Sequence, residues 1–112
     1  MSEMVTYRGR LIPVDRRGLG IEAWIRELLG WDSPSARGYA DWFEALDEER
    51  YNQYVYDSAT DTLYEVERER LDPYGFIQAS RREDGSVDFI VSYYNGGAGF
   101  DEVMESVLRK SE

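Results

Sequence analysis

The chain has 112 residues, 42% of them hydrophobic and 14% aromatic, and its 23 acidic and 13 basic side chains leave a net charge of -10. A chain of that length and apolar content buries a core of its own, so a single domain over residues 1–112 is expected and global disorder is not. Cysteine and histidine are both absent, which excludes disulfides, Cys/His zinc sites and every nucleophile that relies on a histidine base.

The first segment, "MVTYRGRLIPV", alternates Val5 and Tyr7 with polar positions and reads as a strand. Pro13 ends that strand or sets it at a sheet edge. After the turn-rich "DRRGLG", Ile21, Trp24, Ile25, Leu28 and Leu29 form one apolar stripe at helical spacing, and Gly30 is a natural stop. A second helix is expected from "WDSPSARGYADWFEAL". Ser33 is its cap and Pro34 its first helical residue, and Tyr39, Trp42, Phe43 and Leu46 share one face.

From Tyr51 the period changes to two. "YNQYVYD" and "TLYEVERERL" flank a hairpin at "SATD". "DPYG" carries a turn signal, "FIQASRR" is a further strand, and "EDGS" closes a second hairpin onto "VDFIVSYY". Ile90 breaks the alternation of that last strand, which marks it as central. The final helix aligns Phe100, Val103, Met104, Val107 and Leu108. Asp101 and Glu102 stand in its first turn and Arg109 and Lys110 in its last, both in accord with the helix dipole. The element order is β-α-α-β-β-β-β-α. The expected fold is α+β: a mainly antiparallel sheet of four to five strands, the last four forming a meander, with the helices packed on one face.

No apolar run approaches the roughly 18 residues that span a bilayer, and "MSEMVTYRGR" lacks a charged-then-apolar leader pattern, so a cytoplasmic protein is expected. A field this acidic repels nucleic acid and attracts cationic surfaces. Of the bases, twelve are Arg and one is Lys.

Three features bear on function. "NGGAGF" stands between a strand and a helix, as phosphate loops do. It lacks the Lys and Ser/Thr of a P-loop, and the chain runs only 13 residues past Gly99, too few for a dinucleotide fold. It reads as a corner that turns the last helix back onto the sheet, with Tyr93, Tyr94 and Asn95 beside it as part of a partner-binding surface. The second feature is "DWFEALDEER". Asp41, Glu44 and Glu48 fall along one helical edge, with Asp47 and Glu49 beside them. A row of carboxylates can occupy a basic groove by charge complementarity, whereas an ordinary charged run is a solvated helix face. Glu65, Glu67 and Glu69 form a second acidic row, but Arg68 and Arg70 interleave with it, and Arg81, Arg82 and the Arg8, Arg10, Arg16, Arg17 group add further positive charge; cross-strand pairing on an exposed sheet face is one alternative, and an anionic ligand held by converging arginines is another. The third feature is "DSATDTLYE". It spaces Asp57, Asp61 and Glu65 regularly but lacks the alternation and central Gly of a calcium loop, and reads as a tight turn.

In size, charge and α+β plan, and in its acidic "DWFEALDEER" and closing "SYYNGGAGFDEVMESVLRK", the chain resembles the small acidic proteins of phages and mobile elements, among them anti-CRISPR and anti-restriction inhibitors. That resemblance implies a protein without catalytic activity or cofactor that covers the nucleic-acid or assembly surface of a defence nuclease. Asp41, Glu44, Asp47, Glu48, Glu49, Glu65, Glu67, Tyr93, Tyr94 and Asn95 are the expected partner-binding residues. No metal site and no direct nucleic-acid contact are expected. Two alternatives stand beside it: a regulatory module that dimerises through a sheet edge or tyrosine patch, and a small carboxylate-based enzyme or metal-binding protein.

Overall fold

Strand β1 (Glu3–Pro13) is the axis of the fold. The computed structural model describes residues 3–28, 30, 53–71, 77–95 and 100–112. In it β1 pairs antiparallel on one side with β3 (Thr62–Leu71) and on the other with β5 (Val87–Asn95). β2 (Tyr54–Asp57) adds to the far side of β3, and β4 (Ile77–Arg81) to the far side of β5. The result is one five-stranded antiparallel sheet in the order β2-β3-β1-β5-β4.

Both expected hairpins form. In the β4–β5 turn Gly85 takes φ +88, the left-handed conformation that favours glycine. The Asp84 carboxylate accepts from the backbone N–H and the hydroxyl of Ser86 and holds the turn closed. The expected meander is corrected: β3 and β4 are not neighbours, because β1 lies between β3 and β5. β1 is long enough to satisfy a long strand on each side, so burying it in the middle covers the most backbone. Pro13 is its last residue and stands at no sheet edge.

Strand alternation then divides the side chains. On one face, called inner here, Leu11, Val55, Tyr64, Val87, Phe89 and Val91 form the main core. Helix α2 (Phe100–Lys110) lays Val103, Met104, Val107 and Leu108 on it. Those four are the expected stripe; the Phe100 side chain lies outside the described residues. Helix α1 (Ile21–Glu27) does not share this face. Its Trp24 and Ile25 pack with Leu63, Tyr54 and Tyr56, which alternate along β2 and β3 with the inner residues Val55 and Tyr64. The two helices therefore cover opposite faces, against the expectation of one helical layer. The reason is local. Leu63 and Tyr64 are adjacent, both are buried, and neighbours in a strand point to opposite sides. α1 is also shorter than its apolar stripe implies: it ends at Glu27, and Leu28 closes it by donating its N–H to the Trp24 carbonyl while its side chain is exposed. The second expected helix, the "DPYG" turn and residues 96–99 of the glycine corner lie outside the described residues.

Candidate functional site

α1 covers the outer face only at its β2 end. Over β3, β1, β5 and β4 that face forms an open trough of about 920 Å³. Its floor is written in cross-strand rows. Glu69, Arg8 and Ile90 make one row; Glu67, Arg10 and Asp88 make the next. Gly9 lies between the two arginines and points to the inner face, where an added Cβ would stand 2.0 Å from the Glu67 carbonyl oxygen. β1 and β3 approach there more closely than any side chain allows.

The two arginines lean apart. Arg8 pairs with Glu69 on β3. Arg10 turns to β5, its Nε donating to Asp88 at 2.7 Å, and Arg82 reaches the other Asp88 oxygen at 3.1 Å. The hydrogen bond from Arg10 holds the Asp88 carboxyl below the usual carboxylate range, with the positive charges of Arg10 and Arg82 adding to it. Above these rows Thr6 and Ser92 share a hydroxyl hydrogen bond of 2.6 Å. Glu65 and Glu67, exposed on the same face, make no ion pair among the described residues.

A second polar cluster lies where the β1–α1 loop meets the β2–β3 turn. Arg16 Nη2 donates to the Asp61 carbonyl and pairs with its carboxylate, both at 2.8 Å. The Tyr56 hydroxyl donates to the other carboxylate oxygen at 2.7 Å. These bonds, that from Arg16 first, hold the Asp61 carboxyl down, and the bond to Asp61 with partial burial pushes the Tyr56 hydroxyl up. Asp61 and Arg17 both adopt positive φ, 51° and 56°, a conformation costly for non-glycine residues. Arg16 Nη1 is buried without a hydrogen-bond partner. Solvent does not reach it, so it offers no donor to a ligand in this conformation.

The expected site residues separate. Glu65 and Glu67 stand together on the outer face. Tyr94 shares that face, paired across from Met4, and is 57% exposed. Tyr93 points inward, half-buried against Tyr7 at 6.2 Å between ring centres, so it is not part of one patch with Tyr94. Burial raises the Tyr93 hydroxyl above its usual range. Asn95 ends β5, and its side chain lies outside the described residues, as do Asp41, Glu44, Asp47, Glu48 and Glu49. The remaining strand tyrosines are structural. Tyr54 meets Trp24 edge-on at 5.2 Å, and the buried Tyr64 accepts from Arg81. "DSATDTLYE" is a turn in which Asp57 accepts from the Ala59 N–H and the Thr60 hydroxyl. Among the described residues no group of three metal-ligating side chains comes together, and no helix is long and apolar enough to cross a membrane. Asp88 and Ile90 were not singled out by the sequence as interface residues; they face Arg10 and Arg8 only through the β1–β5 register. No family model matches the chain, and neither does any curated protein or solved structure.

Proposed function

We propose that this protein is a non-enzymatic acidic binding protein that covers a basic surface on a partner, most specifically the nucleic-acid surface of a bacterial defence nuclease. The observation that carries the reading is the state of the outer-face carboxylates. Glu69 and Asp88 are committed to arginines, whereas Glu65 and Glu67 are exposed and unpaired among the described residues, in a chain of net charge -10. Carboxylates held low, like Asp61, Asp84 and Asp88, stay ionised near neutral pH; they suit charge pairing better than proton delivery. Residues 31–52 carry six further acids against two arginines, among them Asp41, Glu44 and Glu48, and supply much of the long-range field.

The test is affinity capture from bacterial lysate at about 50 mM and about 500 mM salt, followed by cleavage assays on each nuclease retained. Retention that fails at high salt, of a nuclease whose cleavage the protein then suppresses, is the expected result. Undiminished cleavage, or retention of no nucleic-acid enzyme at either salt, overturns it. One observation favours a second reading, a homodimer: β2 and β4 each have a single neighbour in the described sheet, and open edges pair with strands of other chains. Sedimentation showing a salt-insensitive dimer and no heterologous capture would select it.

A further inference from the structure

We infer that the outer-face trough is the seat of the partner, and that it takes an extended segment bearing a cationic side chain and, two turns of the pleat away, an apolar one. The inference rests on the proposed function for the sign of the partner's charge and adds where and how it binds. It comes from the way the two arginines of β1 lean. Arg10 turns to Asp88 on β5 and leaves its register partner on β3, Glu67, without an ion pair among the described residues. Arg8 turns to Glu69 on β3 and leaves its register partner on β5, Ile90, as an apolar part of the trough lining. The diverging pairs thus uncover two spots on a diagonal, one anionic and one apolar.

The spacing follows from sheet geometry. Glu67 and Ile90 are two strands and one same-face row apart, roughly 12 Å. In an extended peptide, residues i and i+4 point the same way and stand about 13 Å apart. An Arg or Lys on Glu67 therefore sets the residue four positions on over Ile90. Adjacent residues point to opposite sides and cannot engage both spots. Glu65, on the same face two residues from Glu67, extends the anionic end. The charge of the occupant follows from complementarity within the trough: among the described residues Glu67 and Glu65 make no ion pair, whereas Arg8 and Arg10 are each bonded to a carboxylate.

The test uses the whole protein, isotope-labelled, titrated with three capped peptides in a Ser/Thr background: Arg and Leu four apart, Arg and Leu adjacent, and nine consecutive arginines. The expected result is that the four-apart peptide moves the amide signals of β1 near Gly9, of Glu67 and of Ile90, and binds more tightly than the adjacent-pair peptide. Glu67→Gln should weaken it about three- to fivefold and flatten its salt dependence, as loss of one exposed ion pair does. Ile90→Thr, which keeps the β-branched shape, should weaken it about threefold with the salt dependence intact. Melting curves confirm that both variants fold. If nona-arginine binds but the signals that move lie elsewhere and both variants bind as wild type, the trough is overturned while the acidic-partner reading stands. If no cationic peptide binds at low salt, both fall.

Discussion

Replacing Gly9 with Ala tests the centre of the fold most directly. A Cβ at this position would lie 2.0 Å from the Glu67 carbonyl oxygen and 2.9 Å from the Arg68 Cα. Close carbon–oxygen contacts between strands keep about 3.3 Å, so β1 and β3 would have to part by about 1 Å or more. That displacement stretches ladder hydrogen bonds beyond useful length on the central strand, at about 1 kcal/mol for each of the two nearest. Forcing atoms into a packed site adds about 1–3 kcal/mol. Against this, Ala loses less backbone entropy than Gly on folding, a gain of about 0.4–1 kcal/mol. The net is a loss of about 2–4 kcal/mol, and a fall in Tm of about 10–15 °C for a domain of this size. Urea unfolding followed by tryptophan fluorescence measures it as a lower midpoint at unchanged slope. An unchanged or raised midpoint would refute the close approach of β1 and β3, and with it the shape of the trough above.

The opposed helices predict separable losses. Met104→Ala, at a fully buried position under α2, should cost about 2–4 kcal/mol globally. Leu63→Ala, equally buried beneath α1, should in addition raise hydrogen exchange at the Leu28 amide, which bonds to the Trp24 carbonyl, more than at the amides of α2. Asp61, Asp84 and Asp88 all have folded-state carboxyls held below their unfolded range, so their contribution is present above about pH 4 and is lost as pH falls through the folded values. Asp88→Asn should flatten the acid limb of a stability–pH curve; a limb as steep as wild type would exclude the Arg10–Asp88–Arg82 cluster as its source. Gly85→Ala should cost about 1 kcal/mol through its positive φ alone, since its nearest neighbour, Pro13 Cγ, is at an ordinary 3.5 Å; thermal melts would show it.

Local patterns in this chain were legible where one face decided them. The stripe Val103, Met104, Val107 and Leu108 and the two hairpins follow from side-chain period and turn chemistry, and all are present. Strand order was not legible, because the partners of β1 are chosen by contacts between positions far apart in the chain, such as Pro13 with Tyr64 and Glu3 with Asn95, which no local pattern records. The placement of α1 was readable in principle. Leu63 beside Tyr64 signals burial on both sides of one strand end, so something apolar must cover each. Tyr93 and Tyr94 pose the same problem in reverse: as neighbours in a strand they had to part, one to the core and one to solvent. The cross-strand pairing of Arg8 and Arg10 with acids was legible as an alternative. Which acid each would choose depended on register, and that choice makes the trough asymmetric.

The salt-bridged rows also bear on how an acidic protein is selective. At physiological salt, fields fade over about 8 Å. Arg10, one strand away from Glu67, is inside that range and offsets part of its potential. A cation nearing the surface therefore responds to the sum of the charges around it and not to Glu67 alone, in a chain whose net charge is -10. That attraction speeds encounter with any basic surface and distinguishes little between them. In the proposed binding mode Glu67 outweighs Arg10 only in direct contact, and a segment that also seats an apolar group over Ile90 gains from both spots. An outer face made of unpaired carboxylates would attract more strongly and discriminate less. On this argument the arginines of β1 help selectivity because they are already bonded: they neutralise the middle of the face and leave recognition to its two uncovered positions.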